Sequence, residues 1–169
     1  RIWKFFFGLI GSLIALPLFW NNLKLYQQKR ILAFINPESD PLGTGYHLIQ
    51  SKIALGSGGL TGKGYLQGTQ SYLEYLPEKQ TDFIFTLIGE EFGFLGLIFL
   101  LVLFLLILIL SYYIAYKSNH VFGKILSAGV GINIFLYVFS NTSMVIGLIP
   151  VVGVPLPLIS YGGTAMLAI

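Results

Sequence analysis

Seven carboxylates stand in the sequence, Glu38, Asp40, Glu74, Glu78, Asp82, Glu90 and Glu91, few enough to weigh one by one. Asp82 stands where a long polar stretch meets an apolar one. A carboxylate at such a junction is partly desolvated, which lifts its pKa toward that of a useful general base. The competing reading is a helix N-terminal acid that complements the macrodipole, where the pKa falls instead. Position alone leaves the two even. Glu90 and Glu91 come two helical turns further into the apolar run. Acids inside a membrane are costly and face a bundle interior or a cavity. They could form a proton relay, an ion site or a support for a site, or simply pair with Lys or Asn across helices. Neighbouring helix positions point in different directions, so both cannot serve one site, and a supporting role is the stronger expectation.

Other groups are weaker. The run Gly56-Ser57-Gly58-Gly59-Leu60-Thr61-Gly62-Lys63-Gly64 invites a phosphate-loop reading but misses the template. Ser57 stands where the first glycine belongs and Gly64 where Ser or Thr should follow Lys63. Its amides with Lys63 could still hold a phosphate; a flexible turn is the plainer reading. Lys52, Lys63 and Lys79 could meet a pyrophosphate as point charges, although loop lysines are commonly just solvated. Asn133 and Asn141 read as polar groups of helix packing. The Ser160-Tyr161-Gly162-Gly163 turn offers a hydroxyl, a phenol and close backbone approach, either to a substrate or only for re-entry into the membrane. His47 and His120 are too far apart in sequence to suggest a metal site, and no metal ligand set is expected. With no cysteine, disulfide and thiolate chemistry are excluded. The net charge of +3 comes without a dense basic patch, which argues against nucleic acid.

The elements that must position these groups follow from composition. Charged residues make up 10% of the chain and hydrophobic ones 55%, too oily for a soluble domain, where about 25% charge is usual. No charge falls between Phe5 and Leu23, between Phe92 and Tyr116, or from Ile125 onward. About 20 apolar residues cross a bilayer core. The expected fold is therefore all-α, a polytopic transmembrane helical bundle of about three full spans plus the start of a fourth. It carries a long extracytoplasmic loop and an irregular Pro-rich re-entrant segment. The expected spans are 5–23, 82–116 and 125–149, with a next one opening at 164–169. Segment 24–81 is the polar loop, 117–124 a cytoplasmic turn, and 150–163 a Pro/Gly-rich external segment.

Within the loop, Lys24–Phe34 could continue the first span, and Tyr46–Leu55 sets Tyr46, Ile49 and Ile53 on one face, suited to a helix at the membrane interface. Span 82–116 is longer than a bilayer requires, so tilt is expected. Pro150, Pro155 and Pro157 forbid regular helix in an apolar segment, a combination tolerated where backbone is buried in protein or lines a wet cavity. Lys117 and Lys124 mark the cytoplasmic side, and Arg1 and Lys4 agree. The N-terminal run reads as a retained span, since bulky Phe19 and Trp20 follow it and no small-residue cleavage site does. The start without Met and the end within an apolar run suggest a piece of a longer protein.

The ordered blocks carry a resemblance. Asn36-Pro37-Glu38-Ser39-Asp40-Pro41-Leu42-Gly43-Thr44-Gly45-Tyr46 is followed by Gln50-Ser51-Lys52-Ile53-Ala54 and Gly56-Ser57-Gly58-Gly59. Then come Leu76-Pro77-Glu78, Thr81-Asp82-Phe83-Ile84-Phe85 and Gly89-Glu90-Glu91. Last are Pro150-Val151-Val152-Gly153-Val154-Pro155-Leu156-Pro157 and Ser160-Tyr161-Gly162-Gly163. Together these resemble the SEDS family (shape, elongation, division and sporulation), and Gly68-Thr69-Gln70-Ser71 is closer to its elongation branch.

The resemblance implies a multi-pass protein of the bacterial plasma membrane that polymerises lipid II into peptidoglycan strands and works with a class B penicillin-binding protein. The chain would be the C-terminal half of that fold, dependent on the other half for activity. Asp82 takes the place of the family's essential acid, with Lys52, Lys63, Glu78, Ser160 and Tyr161 as candidate substrate contacts and Glu90 and Glu91 as supports. No cofactor is implied with certainty; a divalent cation is one candidate, beside Lys52 and Lys63, for neutralising the departing pyrophosphate. The rival readings are a flippase for the lipid-linked precursor, with Glu90, Glu91 and Asn133 along its path, and a non-catalytic scaffold.

Overall fold

The computed structural model describes residues 20, 22–39, 43–72 and 81–161. Nearly all of the expected first span, Glu78 and the start of the next helix lie outside the described residues. Every regular element described is helical: α1 (Leu25–Ile35), a 3₁₀ turn (Pro37–Ser39), α2 (Thr44–Gly58), the single turn α3 (Thr69–Tyr72), α4 (Ile84–Lys117) and α5 (Val121–Ile146). Two of these, α4 and α5, are long and apolar enough to cross a membrane.

α4 and α5 form an antiparallel pair joined by the tight turn 118–120, shorter than the expected 117–124. Ser127 Oγ donates to the Ser111 carbonyl at 2.7 Å near this turn. Further along, Leu100 and Phe104 share a buried cluster with Ile134 and Val138. The outer faces stay apolar and uncovered, with Leu103, Leu106 and Leu110 on α4 and Phe122, Ile125 and Leu136 on α5 exposed. In water such surface would aggregate; it suits lipid or further helices. α5 ends in a left-handed cap at Gly147, where Leu148 N–H reaches back to the Ser143 carbonyl at 2.8 Å and Gly147 N–H to Met144 at 3.1 Å.

α4 departs from the expected single tilted span. Gly93 has φ 68° and ψ −164°, and the helix turns a sharp corner there. A Cβ on Gly89 would stand 3.1 Å from Leu97 Cδ1, although residues eight apart in a straight helix are separated by about 12 Å. The corner frees backbone groups, and a helix break in a buried place must satisfy them elsewhere. The glycine-rich loop after α2 does this. Lys63 and Gly64 amides donate to the Glu90 and Glu91 carbonyls, both at 3.0 Å. Phe94 and Leu95 amides donate to the Gly59 and Leu60 carbonyls at 2.9 and 3.1 Å. Only glycine takes up the Gly93 conformation without strain.

The part after the corner, Phe94–Lys117, is about 36 Å long at 1.5 Å per residue, enough by itself to cross a core of about 30 Å. The part before it, Ile84–Phe92, is a separate half-helix. Glu90 and Glu91 therefore lie at the corner by the N-terminal end of the longer part, rather than two turns down inside it. Hydropathy could not separate the halves, because both are apolar.

α2 packs against both long helices. The face it buries is Gly45, Leu48, Ser51, Ala54 and Gly58, built of small residues that allow close approach. Tyr46 and Ile49 are half-buried and Ile53 is exposed, so the expected apolar face is the outer one. Ser51 Oγ–H is shared between the Leu48 carbonyl at 2.9 Å and the Val145 carbonyl of α5 at 3.1 Å.

Candidate active site

Asp82 lies in the turn that opens α4, half-buried and next to Phe83, which is buried at 2% exposure. Its surroundings come from the far end of the chain. Segment 150–161 has no regular helix, as its prolines require, and folds over the 81–83 turn. Gly153 in this segment has φ 78°, and a Cβ placed on it would stand 3.0 Å from Asp82 Oδ2. The carboxylate therefore has bare backbone as its wall.

Two side chains, Asn141 and Ser160, tie that wall to the Asp82 turn, and a third, Arg30, holds it to α1. Asn141 of α5 is fully buried and its Nδ2 donates to the Asp82 carbonyl at 2.8 Å and the Val154 carbonyl at 2.7 Å. Ser160 is buried; its hydroxyl donates to the Thr81 carbonyl at 2.6 Å and accepts the Leu156 amide at 2.7 Å. Arg30 of α1 donates through Nη1 to the Val152 carbonyl at 2.8 Å. His47 of α2 rests on the Phe83 ring, with centroids 6.2 Å apart.

The lysines separate. Lys52 is exposed at the C-terminal end of α5, where its Nζ would stand 2.7 Å from a Cβ on Gly147, at the start of the stretch that leads to Gly153. Lys63 instead pairs with Glu90 Oε1 at 2.9 Å and donates to Thr69 Oγ1 at 2.7 Å. Glu90 is fully buried and also accepts the Gln70 amide at 3.0 Å. Glu91 accepts the Leu66 amide at 3.2 Å. Both acids thus face the glycine-rich loop and hold it on the helix corner. Tyr161 is 80% exposed. Among the described residues no three histidines or carboxylates come together as metal ligands.

Sequence reasoning singled out Asp82 and Ser160 but gave Asn141 only a packing role and passed over Arg30 and Gly153. One signal was available for Asn141: a primary amide in an otherwise apolar helix needs partners, and irregular backbone at the same level offers free carbonyls.

The described residues thus give an all-α chain with two candidate spans and, at one end of their pair, an irregular proline-broken segment folded over a carboxylate. The family model described as "Cell cycle protein", covering FtsW, RodA and SpoVE, matches residues 1–169. The chain belongs to this family, the SEDS proteins. It is 50% identical over 167 residues to the peptidoglycan glycosyltransferase MrdB of Escherichia coli K12, covering 95% of this chain and 45% of MrdB. It is 46% identical over 145 residues to the peptidoglycan glycosyltransferase RodA of Treponema pallidum, covering 85% of this chain and 33% of that one. A solved structure described as "Structural coordination of polymerization and crosslinking by a peptidoglycan synthase complex" matches with a TM-score of 0.71 and 29% identity, over 96% of this chain and 44% of that one. The chain spans less than half the length of these relatives.

Proposed function

We propose that the full-length protein is a peptidoglycan glycosyltransferase of the bacterial plasma membrane, polymerising lipid II during cell elongation, with Asp82 as its general base. The observation that carries this is the setting of Asp82: a carboxylate facing the bare backbone of Gly153, at the end of the bundle away from the Lys117–Lys124 turn. Asn141, whose amide meets Asp82, is about 30 Å from Val121 along α5, level with the outer edge of a bilayer core. The sugar and pyrophosphate of a lipid-linked precursor lie at that level, and its apolar tail lies below.

In the proposed step, Asp82 takes the proton of the acceptor sugar hydroxyl while that oxygen bonds to the donor's anomeric carbon. The bond from that carbon to the pyrophosphate oxygen breaks, and the lipid pyrophosphate leaves. Lys52 is the candidate to meet the departing charge, because it is exposed at the same end, whereas Lys63 is committed to Glu90. General-base help of this kind contributes roughly 10²–10⁴-fold. The class B penicillin-binding protein implied by the family would crosslink the strands. Glu90 and Glu91 face the loop, which leaves them ill placed along a flippase path.

The test is strand formation from purified lipid II by the full-length protein in detergent, where there are no two sides to transport between. Glycan product is the expected result. Lipid II left unpolymerised by folded protein together with its penicillin-binding partner would refute the enzyme reading.

A further inference from the structure

We propose that Asn141 is a positioning residue for Asp82, fixing the gap between its carboxylate and the Gly153 wall; this rests on the reading of Asp82 as general base. One side chain spans two distant pieces of chain, because the two N–H groups of Nδ2 go to Asp82 O at 2.8 Å and Val154 O at 2.7 Å. The distance between the α4 junction and segment 150–161 is therefore set by a single planar amide. Gly153, the residue that faces Asp82 Oδ2, sits between two anchored neighbours, Val152 held by Arg30 and Val154 held by Asn141. Ser160 fixes the next carbonyl back, that of Thr81, from the other end of the same segment.

The amide uses both of its N–H groups in this clamp and leaves its oxygen aside. Asn141 Oδ1 is buried and has no hydrogen-bond partner among the described residues. An unsatisfied buried carbonyl weakens a fold, but an apolar side chain here would take the donor from two others, those of Asp82 and Val154. What the amide supplies and an apolar side chain does not is a fixed geometry. Displacing a reacting group by about 1 Å costs on the order of 100-fold in rate.

The experiment measures lipid II polymerisation by the full-length protein and separates kcat from KM. Asn141→Leu is expected to lower kcat about 100-fold with KM within about twofold, the signature of a contribution made at the transition state. Gly153→Ala pushes a methyl against Asp82 from the opposite wall and is expected to give the same signature without touching Asn141. It also decides the matter if Asn141→Leu does not fold. Thr142→Val is the neutral control; Thr142 faces the α4–α5 groove, away from the junction. Folded Asn141→Leu or Gly153→Ala with kcat within about threefold of wild type, or with only KM raised, overturns the inference. Asp82→Asn separates the two claims. If it is inactive while both other variants run normally, only the positioning role falls. If Asp82→Asn turns over at the wild-type rate, the general-base reading falls and takes the positioning role with it.

Discussion

Replacing Lys63 by Met removes the positive partner of Glu90 while keeping a stem of similar length. Glu90 is fully buried and Lys63 is 27% exposed, so water reaches only one side of the pair. Breaking a buried ion pair costs about 3–5 kcal/mol because the remaining charge is stranded. Water at Lys63 and the other contacts of Glu90, among them Thr69 Oγ1 at 3.3 Å and the Gln70 amide at 3.0 Å, favour the low end of that range. About 3 kcal/mol is roughly two decades in an opening equilibrium. The loop and the helix corner should open together, since they share four backbone hydrogen bonds. Hydrogen exchange on the full-length protein in detergent should therefore show the Gly64, Phe94 and Leu95 amides exchanging about 100-fold faster, with the Leu100 and Phe104 amides unchanged. Adding Glu90→Gln should recover most of the protection by removing the stranded charge. Wild-type protection at Phe94 and Leu95 in Lys63→Met would refute the account of the corner.

Two other substitutions probe the framework. Gly93→Ala forces a Cβ into a positive-φ corner and against the backbone of Leu60 and Gly62; it should destabilise the fold by more than about 2 kcal/mol and expose the 59–66 loop to limited proteolysis. Ser51→Ala loses the tie from α2 to the Val145 carbonyl; thermal unfolding in detergent should show a loss of about 1–2 kcal/mol.

The two long helices could be read from charge gaps, whereas α1 and α2 were only candidate short helices in a loop and α3 was not expected. α5 follows from the uncharged run that starts at Ile125, and the irregular 150–161 segment from its three prolines. The corner at Gly93 could not. Gly89, Gly93 and Gly96 stand within seven positions of one another in one helix, the first just before Glu90 and Glu91 and the others past them, and their order alone does not say which takes a positive φ. That choice is made by the 59–64 loop, whose backbone supplies the missing partners from about 30 positions away. The site divides the same way. Asp82 was visible as a charge at a boundary, but its wall is Gly153 and its clamp Asn141, and both come into play only once segment 150–161 has folded back over it. Lys63 and Lys52 looked equivalent in sequence; tertiary packing against the buried Glu90 makes them different.

As general base, Asp82 would take a proton during glycosyl transfer. The most direct measurement is the polymerisation rate of purified lipid II by the full-length Asp82→Asn variant in detergent, beside wild type with matched folding and matched lipid II binding. An amide cannot accept that proton, so the rate should fall by at least about 100-fold while lipid II still binds. A rate within a few-fold of wild type would contradict the account.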